Sequence, residues 1–176
     1  MKTYTSNLCL LMVLLITSCE QPIRDLNPEI LEGGFRLLDA NTTGIDFDNS
    51  IKESTLFNHF YYSQIYVGSG VAIGDINNDG LSDIFFGGNQ VNDGLYLNKG
   101  DLNFEDISKQ SGIGNNEGWT WGVTMVDVNA DGFLDIYVSR NGMSYDIADR
   151  RNKLYINKQD LTFTESAIAY GLADAG

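Results

Sequence analysis

A chain of 176 residues is long enough for one domain, and a formal charge of −13 excludes the basic surface that nucleic acid requires. Hydrophobic residues make up 43% of it, enough for a packed core. The acids are spread along the chain instead of gathered in a tail, which suits a surface that collects cations.

The first residues do not belong to a fold. Lys2 precedes nine uninterrupted apolar residues, Leu8 to Ile16. That is the length of a signal-peptide core, and too short to span a bilayer as a helix. The stretch Ile16-Thr17-Ser18-Cys19 follows and resembles a bacterial lipobox, in which the cysteine is lipidated and becomes the first mature residue. The alternative is an ordinary cleavage site with an incidental cysteine. Residues 1–18 therefore read as a lipoprotein signal peptide and Cys19 as the lipidation site. The expected location is a bacterial cell envelope, at the outer membrane or cell surface, with the lipid anchor as the sole membrane attachment. Cleavage leaves Cys19 as the one cysteine, which excludes a disulfide framework. Residues 19–32 hold both prolines, Pro22 and Pro28, and read as a tether.

Residues 33–69 contain three pieces rich in aromatic and β-branched residues, "FRLLD", "GIDFD" and "FNHFYYSQIYV", which predict lead-in strands. From Gly70 the chain becomes regular. "GVAIGD", "SDIFFGG", "GLYLNK" and "NFEDIS" are four short strand candidates with turn chemistry between them, over residues 70–117. A second unit over 118–176 repeats them as "GVTMVD", "LDIYVSR", "KLYINK" and "TFTESA". Asp75, Asn77, Asp79, Gly80 and Asp83 recur 52 positions on as Asp127, Asn129, Asp131, Gly132 and Asp135. Leu95-Tyr96-Leu97-Asn98 and Phe104 recur 59 positions on as Leu154-Tyr155-Ile156-Asn157 and Phe163. The difference is an insertion in the second unit near "SYDIADR", expected to form an exposed contact loop.

Four strands per repeat at this period mark a β-propeller blade. The doubled acidic loop and the lead-in "TGIDFDN…GSGVAIGDINNDGLSDIFFGGN" resemble FG-GAP or VCBS repeats, related to those of integrin α-subunit propellers. Within them the likeness is to the bacterial branch related to cartilage acidic protein, whose longer members often carry a C-terminal ASPIC/UnbV domain. It covers roughly residues 40–176. The resemblance implies an all-β fold: a partial propeller of two four-stranded blades plus lead-in strands, from a larger, seven-bladed ring. Propellers close with about four to eight blades, so the chain is expected to be the N-terminal part of a longer protein.

The loop pattern D-x-N-x-D-G-x-x-D offers side-chain oxygens at positions 1, 3, 5 and 9 and a backbone carbonyl at 7. Calcium takes 6–8 oxygens of these types, and glycine at position 6 allows a sharp turn. The expected ligands are Asp75, Asn77, Asp79, the carbonyl of Leu81 and Asp83 in one loop. In the other they are Asp127, Asn129, Asp131, the carbonyl of Phe133 and Asp135. An EF-hand fails, because it needs a glutamate at position 12 between helices, where this chain has Phe86 or Val138. A plain Asp-Gly hairpin turn is the simpler alternative, but such a turn needs neither the flanking acids nor the same set twice. Magnesium seldom uses an all-protein cage, and zinc would want histidine or cysteine nearby.

Other candidates are weaker. His59 is the only histidine and sits among aromatics, so it reads as structural or surface. No G-x-S-x-G, phosphate-cradling glycine loop or H-E-x-x-H is present, so no catalytic residue is expected. Trp119 and Trp121 could stack on sugar rings, but alternation puts both on one strand face, and packing is the preferred role. The N-T-T sequon at Asn41 carries little weight beside a bacterial signal. The expected function is calcium-stabilised binding or adhesion to an extracellular protein or glycan, with polysaccharide capture or processing as the alternative.

Overall fold

Alternation of apolar and polar residues between Asp-Gly and Asn-rich turns produces short antiparallel strands, and the computed structural model has eight of them. It describes residues 35–113, 119–141 and 147–175. The signal peptide, Cys19 and the tether lie outside these residues. So do parts of two loops, 114–118 and 142–146. All eight strands belong to the compact unit that begins at Leu38.

Strands β1 (Val71–Gly74), β2 (Asp83–Phe86), β3 (Gly94–Asn98) and β4 (Phe104–Asp106) form one antiparallel sheet in chain order. Strands β5 (Thr120–Val126), β6 (Asp135–Arg140), β7 (Lys153–Asn157) and β8 (Phe163–Glu165) form the second. The registers match: Ile84 faces Tyr96 in the first sheet as Ile136 faces Tyr155 in the second. The fold is all-β, built from two blade-like meanders, as the repeat predicts. Among the described residues helix is confined to three single turns: α1 (Ala40–Thr43), α2 (Ile147–Arg150) and α3 (Ala167–Tyr170).

The sheets stack through one apolar core. Ala72, Phe85, Leu95 and Leu97 of the first sheet meet Ile136, Val138, Tyr155 and Phe163 of the second. Each fully buried large side chain stabilises the fold by about 1.5–3 kcal/mol, so this seam is the main source of stability. A polar bond also crosses it: Asn157 Nδ2 donates to the Ile76 carbonyl at 2.8 Å.

The lead-in region differs from expectation. The composition of residues 33–69 predicts strands, but among the described residues none of them is in a strand. Asp39 caps α1 by accepting the Asn41 N–H at 2.7 Å. Residues 54–67 form successive tight turns, Ser54 to Phe57, Asn58 to Tyr61, Tyr62 to Ile65 and Gln64 to Val67. Asn58 holds them locally: Nδ2 donates to the carbonyls of Ser54 and Thr55, and Oδ1 accepts the Phe60 N–H. Strand propensity expresses fit to a pleated, half-buried surface. Here no neighbouring strand pairs with the segment, and local side-chain bonds to the backbone win.

Candidate functional site

The acidic loops connect β1 to β2 and β5 to β6, and their side chains write one hydrogen-bond pattern twice. Asp75 folds back over its own loop, with Oδ1 accepting the Asp79 N–H at 3.1 Å and Oδ2 the Gly80 N–H at 2.7 Å. Asn77 Oδ1 accepts the same Asp79 N–H at 3.2 Å, while Asn77 Nδ2 donates to Asp79 Oδ2 at 2.9 Å. Asp79 Oδ1 accepts the Leu81 N–H at 2.8 Å. In the second loop Asp127 accepts from Asp131 and Gly132, Asn129 accepts from Asp131 and donates to it, and Asp131 accepts from Phe133. The backbone repeats as well. Gly80 and Gly132 have φ of 86° and 88°, and Asn78 and Ala130 have φ of 60° and 58°. Left-handed conformations suit glycine and tolerate asparagine; at Ala130 they cost about 1–2 kcal/mol.

Asp75, Asn77 and Asp79 are thus brought together at the loop, as are Asp127, Asn129 and Asp131. Leu81 and Phe133 enter the pattern through their N–H groups. Asp83 and Asp135 behave differently. They open β2 and β6 and are wholly buried, at 0% exposure. Asp83 Oδ2 accepts the Ile76 N–H at 2.9 Å and Oδ1 the Asn98 N–H at 2.8 Å. Asp135 does the same for Val128 at 3.0 Å and Asn157 at 2.8 Å. The premise that a turn has no use for the flanking acids is therefore corrected. The acid at position 9 ties its loop to the third strand of the same sheet.

Electrostatics follow this division. The Asn77 amide and the Leu81 N–H hold Asp79 below the usual carboxylate range, and the Phe133 N–H and Asn129 amide do so for Asp131. Burial pushes Asp83 upward. The N–H groups of Asn98 and Ile76 oppose that shift, and the nearby charges of Asp79 and Asp75 add to it. The side-chain ligands each loop offers are oxygens, and in the first loop the charges of Asp75 and Asp79 reach Asp83, so the chemistry fits a hard cation. Among the described residues no group of three or more His, Cys, Asp or Glu side chains is arranged to hold a metal. The fit therefore depends on the amide oxygens of Asn77 and Asn129 as well as on carboxylates.

Two residues that join the loops to the fold escaped sequence reasoning. Asn78 Nδ2 donates to the Gly132 carbonyl at 3.0 Å and so ties one acidic loop to the other. Asn157 bonds the carbonyls of Ile76 and Leu134, and accepts the Gln159 N–H. Its signal was visible, because Asn98 and Asn157 hold the same place in "LYLN" and "LYIN".

The remaining candidates take structural places. His59 is exposed, with its ring 6.3 Å from that of Tyr66. Trp119 is buried against Phe57 and Tyr62, at 5.5 and 5.4 Å between ring centroids. It precedes β5, and an irregularity in register between Thr120 and Gly122 interrupts the alternation expected to align it with Trp121. Of the inserted loop, the described part includes α2 and a bridge from Arg151 to Ala175.

Comparison with known proteins agrees with this architecture. Over 76 residues, 43% of this chain, the sequence is 40% identical to cartilage acidic protein 1 of Xenopus tropicalis. The chain spans only 12% of that relative's length. The family model described as FG-GAP-like repeat matches residues 58–138, a stretch that holds the whole first sheet, both acidic loops and most of β5–β6. Residues 58–138 are therefore similar to the FG-GAP-like repeat, consistent with the two blade-like sheets.

Proposed function

We propose that the protein is a cell-envelope lipoprotein whose blades bind calcium at the two acidic loops and serve in binding or adhesion, without catalysis. The observation that carries the calcium reading is the loop built twice, with the same bonds and the same left-handed positions. Calcium bound there would offset the mutual repulsion of the loop carboxylates. Asp75, Asn77, Asp79, the Leu81 carbonyl and Asp83 would hold it in one loop, and Asp127, Asn129, Asp131, the Phe133 carbonyl and Asp135 in the other. Asp83 and Asp135 would also keep each loop anchored to its sheet. Cys19 at the lipobox supports the anchor, and FG-GAP repeats are typically non-catalytic binding modules. A cavity lined by aromatic and acidic residues, remote from the loops, favours a glycan as the bound partner.

The test is the melting temperature of the intact protein. EDTA should lower it, and calcium should restore it better than equimolar magnesium. A site with free calcium a hundredfold above Kd contributes about 2.7 kcal/mol. Asp79→Ala and Asp131→Ala should each remove one retained ion and leave the other. If sodium chloride at about 150 mM reproduces the calcium effect by screening alone, or neither loop retains an ion, the reading is wrong.

A further inference from the structure

The first sheet carries a cavity of about 610 Å3, within the roughly 300–1,000 Å3 typical of small-molecule sites. It lies at the end of β3 remote from the acidic loop. Gly94, which lines it, begins β3 opposite Phe86, whereas Asn98 ends β3 against Asp83. Phe47 and Tyr96 give the cavity its aromatic lining, and Asp93, Asp106 and Lys109 its charged groups.

The internal repeat serves as a control on what the blade itself requires. Tyr96, Gly112 and Ile113 are matched 59 positions on by Tyr155, Gly171 and Leu172. Of the polar lining, Asp106 is matched by Glu165, which likewise accepts the N–H two residues on, but the rest differs. Arg151, Asn152, Ala167 and Ile168 stand where the first blade has Asn92, Asp93, Ser108 and Lys109, and Lys153 stands in place of Gly94. Asn152 Oδ1 accepts the Arg140 N–H as Asp93 Oδ1 accepts that of Gly88, so Asp93 serves the blade. The second sheet is built without Asn92, Gly94 and Lys109, whose presence in the first needs another reason.

The lining is also held in position. The Phe47 ring stacks on Phe86 at 5.0 Å and 13°, and the neighbouring Asp46 accepts the Tyr96 hydroxyl at 2.9 Å. A Cβ at Gly94 would come within 3.0 Å of both the Phe47 and Tyr96 rings, so the stack depends on glycine there. Asp106 Oδ1 accepts the Ser108 N–H at 2.8 Å and also its hydroxyl, while Ser108 Oγ accepts the Leu95 N–H at 2.8 Å. Asp93 is buried, its Oδ1 accepting from Gly88 N–H at 2.7 Å and Thr120 Oγ1 at 2.9 Å. A fixed aromatic ring beside oriented carboxylates suits a molecule with an apolar ring face and hydroxyl edges. Two carboxylates against one lysine, on a protein of charge −13, disfavour an anionic ligand.

We propose that this cavity binds one neutral saccharide unit of a glycan. The sugar ring lies on Phe47, its hydroxyls donate to Asp106, and Lys109 donates to a ring or hydroxyl oxygen. The proposal rests on reading the protein as a binding module and names the class of ligand. The test applies the intact, calcium-loaded protein to an array of neutral hexose and N-acetylhexosamine oligosaccharides beside uronic-acid and sialic-acid ones. At least one neutral glycan should be retained. Asp106→Asn, on an exposed residue, should weaken it about tenfold, the equivalent of one good hydrogen bond. Gly94→Lys should abolish binding. Asp79→Ala should lose calcium at its loop and keep the glycan, and that result separates the two readings. The proposal is overturned if a folded, calcium-loaded protein retains only acidic glycans or none. It is equally overturned if Asp106→Asn and Gly94→Lys both bind as the parent does.

Discussion

Replacing Asp83 by asparagine distinguishes an acid that serves the fold from one that serves a cation. The side chain is fully buried, and each carboxylate oxygen accepts one backbone N–H, from Ile76 at 2.9 Å and Asn98 at 2.8 Å. Asparagine keeps one oxygen and turns an NH2 group against the other N–H, donor to donor. Losing a hydrogen bond to a charged group costs about 1.5–3 kcal/mol, and relief of the buried charge offsets a part of that. The net expectation is a loss of about 2 kcal/mol. At roughly 2–4 °C per kcal/mol, this lowers the melting temperature by about 4–8 °C. The assay is thermal or urea unfolding in EDTA, with Asp79→Asn beside it. Asp79 is exposed at the loop, so without metal its change should move the melting temperature far less than that of Asp83. If Asp83→Asn matches the parent protein in EDTA, the structural role derived for position 9 is wrong.

Asn157→Ala removes a buried amide that bonds Ile76 and Leu134, the first of these across the two sheets, and should cost about 2–3 kcal/mol in urea unfolding. Asn98→Ala should cost less, because that side chain bonds only Ser82 and Gly100 of its own sheet. Acid titration of stability should show two opposite contributions. Asp79 and Asp131 have lowered values in the fold, so what they contribute is present above the unfolded carboxylate value of about 4 and is lost as pH falls below it. Asp83 is raised, so its ionised form weighs against the fold, and protonation as pH falls through its folded value favours it. Melting curves of Asp79→Asn and Asp131→Asn should therefore lose less stability than the parent below about pH 4. Finally, Cys19→Ala should abolish palmitate labelling and release the protein from the membrane fraction; unchanged labelling would refute the lipid anchor.

The sequence by itself determined the repeat, the strands and the acidic turns, because their causes are local. Asp75 reaches Asp79 and Gly80 only four and five residues away, and glycine at position 6 turns the chain wherever the loop occurs. Period-two alternation likewise needs only neighbouring residues to be legible. Tertiary structure decided the rest. Asp83 reads in the sequence as a loop ligand alone, and only its bond to Asn98, fifteen residues away, shows that it also ties the loop to the sheet. Asn157 meets Ile76 across eighty-one residues, and no local pattern encodes that partner. The aromatic segment 57–67 carries strand propensity without a strand beside it, so Asn58 and its turns prevailed. The cavity was equally invisible, because it forms only when Phe47 stacks on Phe86 and Gly94 leaves room for both rings. Interactions within one turn are written in adjacent residues, whereas burial and long-range pairing exist only once the sheets have stacked.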